Sequence, residues 1–334
     1  MDVFLAKTRV MHSIDFYRTE FISYLEKNAK TREPLNLYKP MSYILGLGGK
    51  RLRPVLTLMT TEVFGKDHIN AMDAALAIEI FHNFSLVHDD IMDDAPLRRG
   101  KPTVHEKWDL NTGILSGDAM LIRAYQLFEN YESDTFRELA QLFSKTALEV
   151  CEGQQYDIDF ETREDVTVPE YLKMIEYKTA VLVAAAMKMG GIIANASSTD
   201  QDCIYDFGKN LGLAFQLQDD YLDAFGDPKT FGKQVGGDII ENKKTVLYLA
   251  ALENGDEEQK NELLDLYSIQ PKDPSEKVEA IKEMFHSTGA VKHTKSQIEF
   301  YTKKAFGKLN SLDISNEKKE LLRGFGESLM QREV

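Results

Sequence analysis

Two cysteines in 334 residues, Cys151 and Cys203, are too few for a disulfide framework. They also lack Cys-x-x-Cys spacing, which points to a reducing, cytoplasmic setting rather than an oxidising one. Proline supplies only nine residues, several of them paired as Pro34 and Pro40, Pro96 and Pro102, Pro271 and Pro274. Long stretches between these points are therefore open to helix. No Gly/Ser-rich or Pro-rich linker separates two halves, no fixed-period repeat recurs, and no convincing period-two alternation marks a strand. Long apolar runs are missing too: the most apolar stretch, 180–187, stops at Lys188 and is too short to span a bilayer. Residues 1–10 hold no apolar core of signal-peptide length, and residues 330–334 hold no prenylation box. Basic residues are in deficit, 40 Lys and Arg against 54 Asp and Glu, for a net charge of −14. Phosphate neutralisation needs a basic surface, so nucleic acid is excluded as the main partner.

What is there is helical. Hydrophobic residues make up 43% of the chain, enough to fill a large core. In 71–94, Leu76, Ile80, Phe84 and Val87 recur at steps of three and four, and Pro96 disfavours helical geometry at Ala95. Residues 169–194 open with proline at an early helical position, and 207–225 close on Gly226-Asp227-Pro228. Three further amphipathic helices are expected over 275–287, 289–308 and 315–331. Several helices are apolar on most of their circumference and belong inside a bundle. The pattern predicts one all-α domain over residues 1–334.

Two short segments stand out against that background. Asp89, Asp90 and Asp93 end the first long helix, and Asp219, Asp220 and Asp223 end another. Both read Asp-Asp-x-x-Asp, so Asp89 and Asp93, and likewise Asp219 and Asp223, stack one turn apart. Like charges at i, i+4 destabilise a helix, and carboxylates at its C-terminus meet the unfavourable end of the dipole. A divalent cation reverses that sign, and hard oxygen ligands suit Mg2+ with phosphate oxygens and water completing the shell. A solvated acidic face is the plainer alternative for either cluster taken alone. Apolar neighbours (Leu86, Val87, Leu217, Leu222) weigh against it, and neither segment has EF-hand spacing.

Cations accompany the aspartates. Gly48-Gly49-Lys50-Arg51-Leu52-Arg53-Pro54 puts three in a tight segment, and Arg98-Arg99-Gly100-Lys101 follows the first cluster. Lys233 and the Lys243-Lys244 pair follow the second. Such a set fits an assembled diphosphate site, with Lys or Arg on the oxygens that the metal leaves free. Ordinary salt bridges from Arg98 and Arg99 to Asp93 and Asp94 remain the alternative. No Walker-type loop is present, which disfavours a nucleotide triphosphatase.

Taken in order, Gly-Gly-Lys-Arg-Leu-Arg-Pro, the first aspartate motif with Arg98-Arg99-Gly-Lys-Pro-Thr, Lys178-Thr179 and Phe215-Gln216-x-x-Asp219-Asp220-x-x-Asp223 resemble the trans-type polyprenyl diphosphate synthases. The likeness runs from Gly48 to Lys243 by motif and onward by helical pattern. It implies a helical bundle of the isoprenoid synthase type with a deep central cavity, the aspartate motifs facing each other across its mouth. It further implies a homodimer that condenses isopentenyl diphosphate with an allylic diphosphate. By motif, Asp89, Asp93 and Asp219, with Asp90, Asp220 and Asp223, hold three Mg2+ ions around the allylic diphosphate. Arg98, Lys178 and Lys233 hold that diphosphate. Lys50, Arg53, His82 and Arg99 form the isopentenyl diphosphate pocket, Thr179 and Gln216 line the reacting carbons, and Lys243 is a further diphosphate contact. Arg51 is the weakest member of its segment, and His82 without the resemblance reads as a core histidine.

In such enzymes the product grows alongside the helix before the first aspartates, where bulky residues form a floor. Ser85, Phe84 and Phe81 lie four, five and eight residues before Asp89. At about 1.5 Å of rise per residue, Phe84 sits roughly 7–8 Å and Phe81 about 12 Å below the metal site. Two phenylalanines there argue against products of thirty carbons or more, and small Ser85 resembles the C20-forming pattern more than the C15 one. Plain core packing explains both rings equally well. Two other classes stay open: a class I terpene cyclase, against which the second Asp-Asp-x-x-Asp speaks, and a non-catalytic subunit of a heteromeric synthase, which generally lacks one or both aspartate motifs.

Overall fold

The computed structural model describes residues 12–227 and 235–331. Among these every regular element is helical except one ladder, β1 (Leu97–Arg98) antiparallel to β2 (Lys101–Pro102). The all-α expectation holds, and no described helix is long and apolar enough to cross a membrane. The chain divides into two compact units, Met1–Phe143 with Ala186–Gln201, and Ser144–Ala185 with Asp202–Val334.

The first unit holds α1 (Ile14–Asn28), α2 (Leu35–Gly46), α3 (Leu52–Val63), α4 (Met72–Met92), α5 (Val104–Lys107) and α6 (Leu110–Phe128). The helix expected over 71–94 is α4. It is buried on most of its circumference because alanine, leucine, isoleucine and phenylalanine occupy nearly every position from Ala74 to Phe84. It packs chiefly on α6 and α3. Past its C-cap, Asp93, the chain turns through Asp94 at φ +47° and then into the hairpin. The hairpin loop is Arg99 and Gly100, both at positive φ, which is the twist-matched two-residue turn that pairs short strands. Sequence alternation could not have revealed strands of two residues.

At the start of α3, Arg51 is left-handed (φ +53°) and turns its guanidinium inward to pair with Glu79 of α4 and to donate to the Leu45 carbonyl at the end of α2. Both side chains are buried, so one pair joins three helices. This explains why Arg51 stood apart from its cationic neighbours.

Residues of both units contribute to α7 (Ser133–Thr162), α9 (Val181–Ile193) and α10 (Ser198–Phe225). The second unit also holds α8 (Val168–Ile175), α11 (Gly237–Ile240), α12 (Val246–Asn254), α13 (Glu257–Tyr267), α14 (Ser275–Ser287), α15 (Ala290–Asn310) and α16 (Asn316–Met330). The last three match the expected C-terminal helices to within about two residues. The segment expected as one helix over 169–194 is α8 and α9 joined by a π-helical stretch, Glu176–Ala180. Thr167 starts α8 with a capping box to Glu170, Pro169 just inside it. The helix expected over 207–225 begins nine residues earlier, at Ser198. Its first turns are polar, and Ser197 exchanges hydrogen bonds with Asp200 at 2.7 and 3.1 Å to cap them.

Removing one partner of a buried ion pair strands the other, at a cost of about 3–5 kcal/mol. Glu79→Ala should therefore lower unfolding stability by about that amount. Arg51→Met combined with Glu79→Met should lower it by less, as read by denaturant unfolding.

Candidate active site

In the first unit the aspartates of α4 divide by direction. Asp90 is 1% exposed and receives Arg98 in a bidentate grip, Nε at 2.8 and 2.9 Å from its two oxygens and Nη2 at 2.7 Å. Arg98 Nη2 also lies 3.7 Å from Asp89. Asp89 is partly exposed and Asp93 exposed, on the same face of the helix end. Arg98 thus grips the middle aspartate most closely, with Asp89 further off.

Arg98 arrives there because the hairpin carries it. On the turn of the same hairpin, Arg99 donates to the Gly48 carbonyl. Gly49 lies at φ +119°, and a Cβ there would stand 2.8 Å from the Arg99 guanidinium, so only glycine accepts the arginine so close. Beside it Arg53 Nη1 is 3.2 Å from His82 Nε2. Burial, then Arg53, Arg99, Arg98 and Arg51 in turn, hold the His82 pKa well below the ordinary histidine value. The imidazole is therefore neutral and accepts from Arg53. The buried Arg53 Nε has no hydrogen-bond partner among the described residues, an open donor beside a cationic cluster. Lys50 is exposed at the edge of the same segment. Arg53, His82, Arg98 and Arg99, singled out from sequence, are brought within electrostatic reach of one another.

The second unit repeats the division. Asp220, 5% exposed, accepts from the Tyr171 hydroxyl at 2.5 Å and from Gln216 Nε2 at 3.0 Å. Burial and the nearby Asp238 carboxylate push its pKa up to about 8. Asp219 and Asp223 are partly exposed, and Asp223 also receives the Asp238 backbone N–H at 2.9 Å. A set of hard carboxylate oxygens this crowded fits a divalent cation, whose charge would reverse the local repulsion.

Thr179 Oγ1 donates to Gln216 Oε1 at 3.3 Å, and Lys178 Nζ reaches Asp157 at 2.5 Å. Both residues sit in the π-helical stretch, a departure from α geometry that often marks functional positions. Two glycines press on it. A Cβ at Gly153 would be 2.2 Å from the Lys178 nitrogen, and one at Gly212 would be 2.9 Å from Ala180 Cα. Asp157, Tyr171 and Asp238 escaped the sequence reading. The available signal for Asp157 was Gly153, an isolated glycine in a long helix four residues earlier. Lys243 lies 2.8 Å from Glu241 and 3.8 Å from Asp238. Its neighbour Lys244 instead donates to the carbonyls of Phe160, Glu161 and Arg163, closing the end of α7. Lys233 lies outside the described residues.

Phe81 is fully buried, its ring 5.4 Å from Phe84 and 5.1 Å from Phe143. Phe84, closer to the aspartates, stands edge-on to His88 at 4.8 Å. Ser85 donates to the His82 carbonyl at 2.9 Å.

The polyprenyl synthetase family model matches residues 34–284. The chain is 37% identical over 301 residues to a short chain isoprenyl diphosphate synthase of Methanothermobacter thermautotrophicus, covering 90% of this chain and 91% of that one. It is 35% identical over 320 residues to a geranylfarnesyl diphosphate synthase of Natronomonas pharaonis, covering 90% and 91%. Among solved structures, a geranylgeranyl pyrophosphate synthase superposes with a TM-score of 0.93 at 55% identity, covering 97% of this chain and 100% of that one.

The close approach at Gly153 makes a prediction. Gly153→Ala should cost about 1–3 kcal/mol through overpacking against the Lys178 backbone, measured by thermal or denaturant unfolding. Unchanged stability would mean the π-helical stretch yields freely.

Proposed function

We propose, on the premise that this chain belongs to the polyprenyl synthetase family, that it is a prenyltransferase extending an allylic diphosphate with isopentenyl diphosphate to an all-trans C20 diphosphate. Its all-α isoprenoid synthase fold and its short-chain relatives support the reaction class. The observation that carries the reading is the paired design of the aspartate motifs: outer carboxylates presented on one helix face, inner ones held by protein donors. The C20 length is supported by the likeness to a geranylgeranyl pyrophosphate synthase and by the two phenylalanines before the first motif.

In this reading Asp89, Asp93, Asp219 and Asp223 are the Mg2+ ligands. Asp90 and Asp220, grouped with them by motif, orient Arg98 and Gln216 beside them. Mg2+, when bound, neutralises the charge that grows on diphosphate as the allylic C–O bond breaks. Arg98 and Lys178 supply fixed positive charge to the same leaving group, with Lys233 and Lys243 as further contacts. Arg53, Arg99, Lys50 and neutral His82 bind isopentenyl diphosphate, the open Arg53 Nε taking one of its oxygens. Thr179 fixes Gln216 by its hydroxyl, so the carboxamide dipole is set before substrate arrives. The proton lost after carbon–carbon bond formation passes to the departing diphosphate, so no protein base is needed. Phe81, Phe84 and Ser85 set the product floor.

We place the enzyme in the cytoplasm, consistent with its two free cysteines. A homodimer is supported by α6, where Ile114, Leu115 and Ile122 are 40, 60 and 60% exposed. Apolar side chains bared along one helix fit an interface.

Incubated with Mg2+, isopentenyl diphosphate and each allylic primer, the protein alone should give C20 diphosphate by mass spectrometry. Cyclic hydrocarbon, or turnover only with a second protein, would favour the cyclase or subunit readings. Asp89→Ala should lower turnover about 10³-fold, the equivalent of ~4 kcal/mol of transition-state stabilisation, with folding intact. Phe84→Ala should lengthen the product, and unchanged length would move the floor elsewhere.

A further inference from the structure

A second cluster of metal-ligating side chains lies in the first unit, away from the aspartate motif. His12, Glu62 and His68 each offer one ligand atom, all within 4.8 Å of one another. Glu62, at the end of α3, is only 5% exposed and its Oε2 accepts from the buried Tyr17 hydroxyl. Its other oxygen, Oε1, faces two imidazoles, with His68 Nδ1 at 3.4 Å and His12 Nε2 at 3.8 Å.

These distances are long for hydrogen bonds between a carboxylate and imidazoles, which close to about 2.7–2.9 Å when charged. They approach the separation of ligands around one tetrahedral ion. Bonds of about 2.0–2.1 Å to zinc set neighbouring donors about 3.3 Å apart. Tyr17 fixes the carboxylate, as a supporting group of a metal site does. Asp67 Oδ1, which caps the short 3-10 helix His68–Ala71, lies 3.3 Å from the same His68 Nδ1 that faces Glu62, so it stands on the ligand side of the ring. His68 Nε2 is buried with no hydrogen-bond partner among the described residues. His12 has a side chain 38% exposed, which gives an ion a way in and leaves room for a water as fourth ligand. Its ring is held by stacking on Phe16 at 3.8 Å.

We propose that His12, Glu62 and His68 form a second metal site, selective for Zn2+ or a similar imidazole-binding divalent ion. Two neutral imidazoles and one carboxylate suit zinc, whereas Mg2+ demands oxygen donors in octahedral array. The two classes of site therefore take different metals from one solution. Bound zinc ties His12, two residues before α1, to the end of α3 and the short 3-10 helix after it. Its role is to fasten the N-terminal helix to the unit, coupling metal binding to folding.

The test uses the full chain, stripped of metal and returned to excess Mg2+ so that oxygen-lined sites are filled. Titration with Co2+ should develop the visible absorption of four-coordinate cobalt and saturate at one equivalent. His12→Ala, which leaves Glu62, Tyr17 and His68 in place, should abolish that spectrum. Zn2+ should raise the melting temperature of the wild type by a few degrees and leave His12→Ala unmoved. Glu62→Gln, which keeps an oxygen for Tyr17, is the second variant and should behave like His12→Ala. No cobalt spectrum in the wild type, or the same spectrum and zinc response in the wild type and His12→Ala, would overturn the site.

Discussion

A guanidinium clamped on a buried carboxylate, Arg98 on Asp90, is the interaction on which the first unit's site depends. Asp90 ends a helix, where a negative charge meets the unfavourable end of the dipole and has almost no water to stabilise it. Arg98 supplies the missing charge in the geometry that a planar fork fits best. Because Arg98 sits on a two-residue strand, the clamp also fixes the hairpin. The hairpin in turn sets Arg99 against Gly48, beside Arg53 and His82. Burial, and after it the crowd of cations, keeps His82 neutral, so it can accept from Arg53 instead of adding to the repulsion.

The second unit solves the same problem with different groups. Asp220 is also the middle member of its motif and also buried, but its donors are Tyr171 and Gln216, which carry no charge. Hydrogen bonds alone do not offset burial beside Asp238, and its pKa stays high at about 8. Each motif thus spends one aspartate on organising its neighbours and leaves two at least partly open to solvent. That division gives Asp-Asp-x-x-Asp a physical meaning: i and i+4 share the open face, while i+1 turns toward the protein.

The helices and the two motifs were legible because helical periodicity and repeated carboxylates are local properties of the chain. Arg51 could be separated from Lys50 and Arg53 only weakly by spacing; its burial against Glu79 is a tertiary fact. The π-helical stretch at Glu176–Ala180 leaves no mark in hydrophobic pattern, and its close neighbours Gly153 and Gly212 lie far from it along the chain. Tyr171 and Asp238 left no local signal, each lying far along the chain from the residue it serves, and Asp157 left only the isolated Gly153 before it. The early start of α10 was hidden by polar residues that act as its cap.

The division between outer and inner aspartates is tested most directly by the Mg2+ dependence of turnover in Asp89→Asn and Asp90→Asn proteins. The outer variant should need much more Mg2+ for half-maximal rate. The inner variant should keep the wild-type Mg2+ midpoint and lose affinity for the allylic diphosphate through a released Arg98. A shift of the Mg2+ midpoint in Asp90→Asn as large as that in Asp89→Asn would contradict the account.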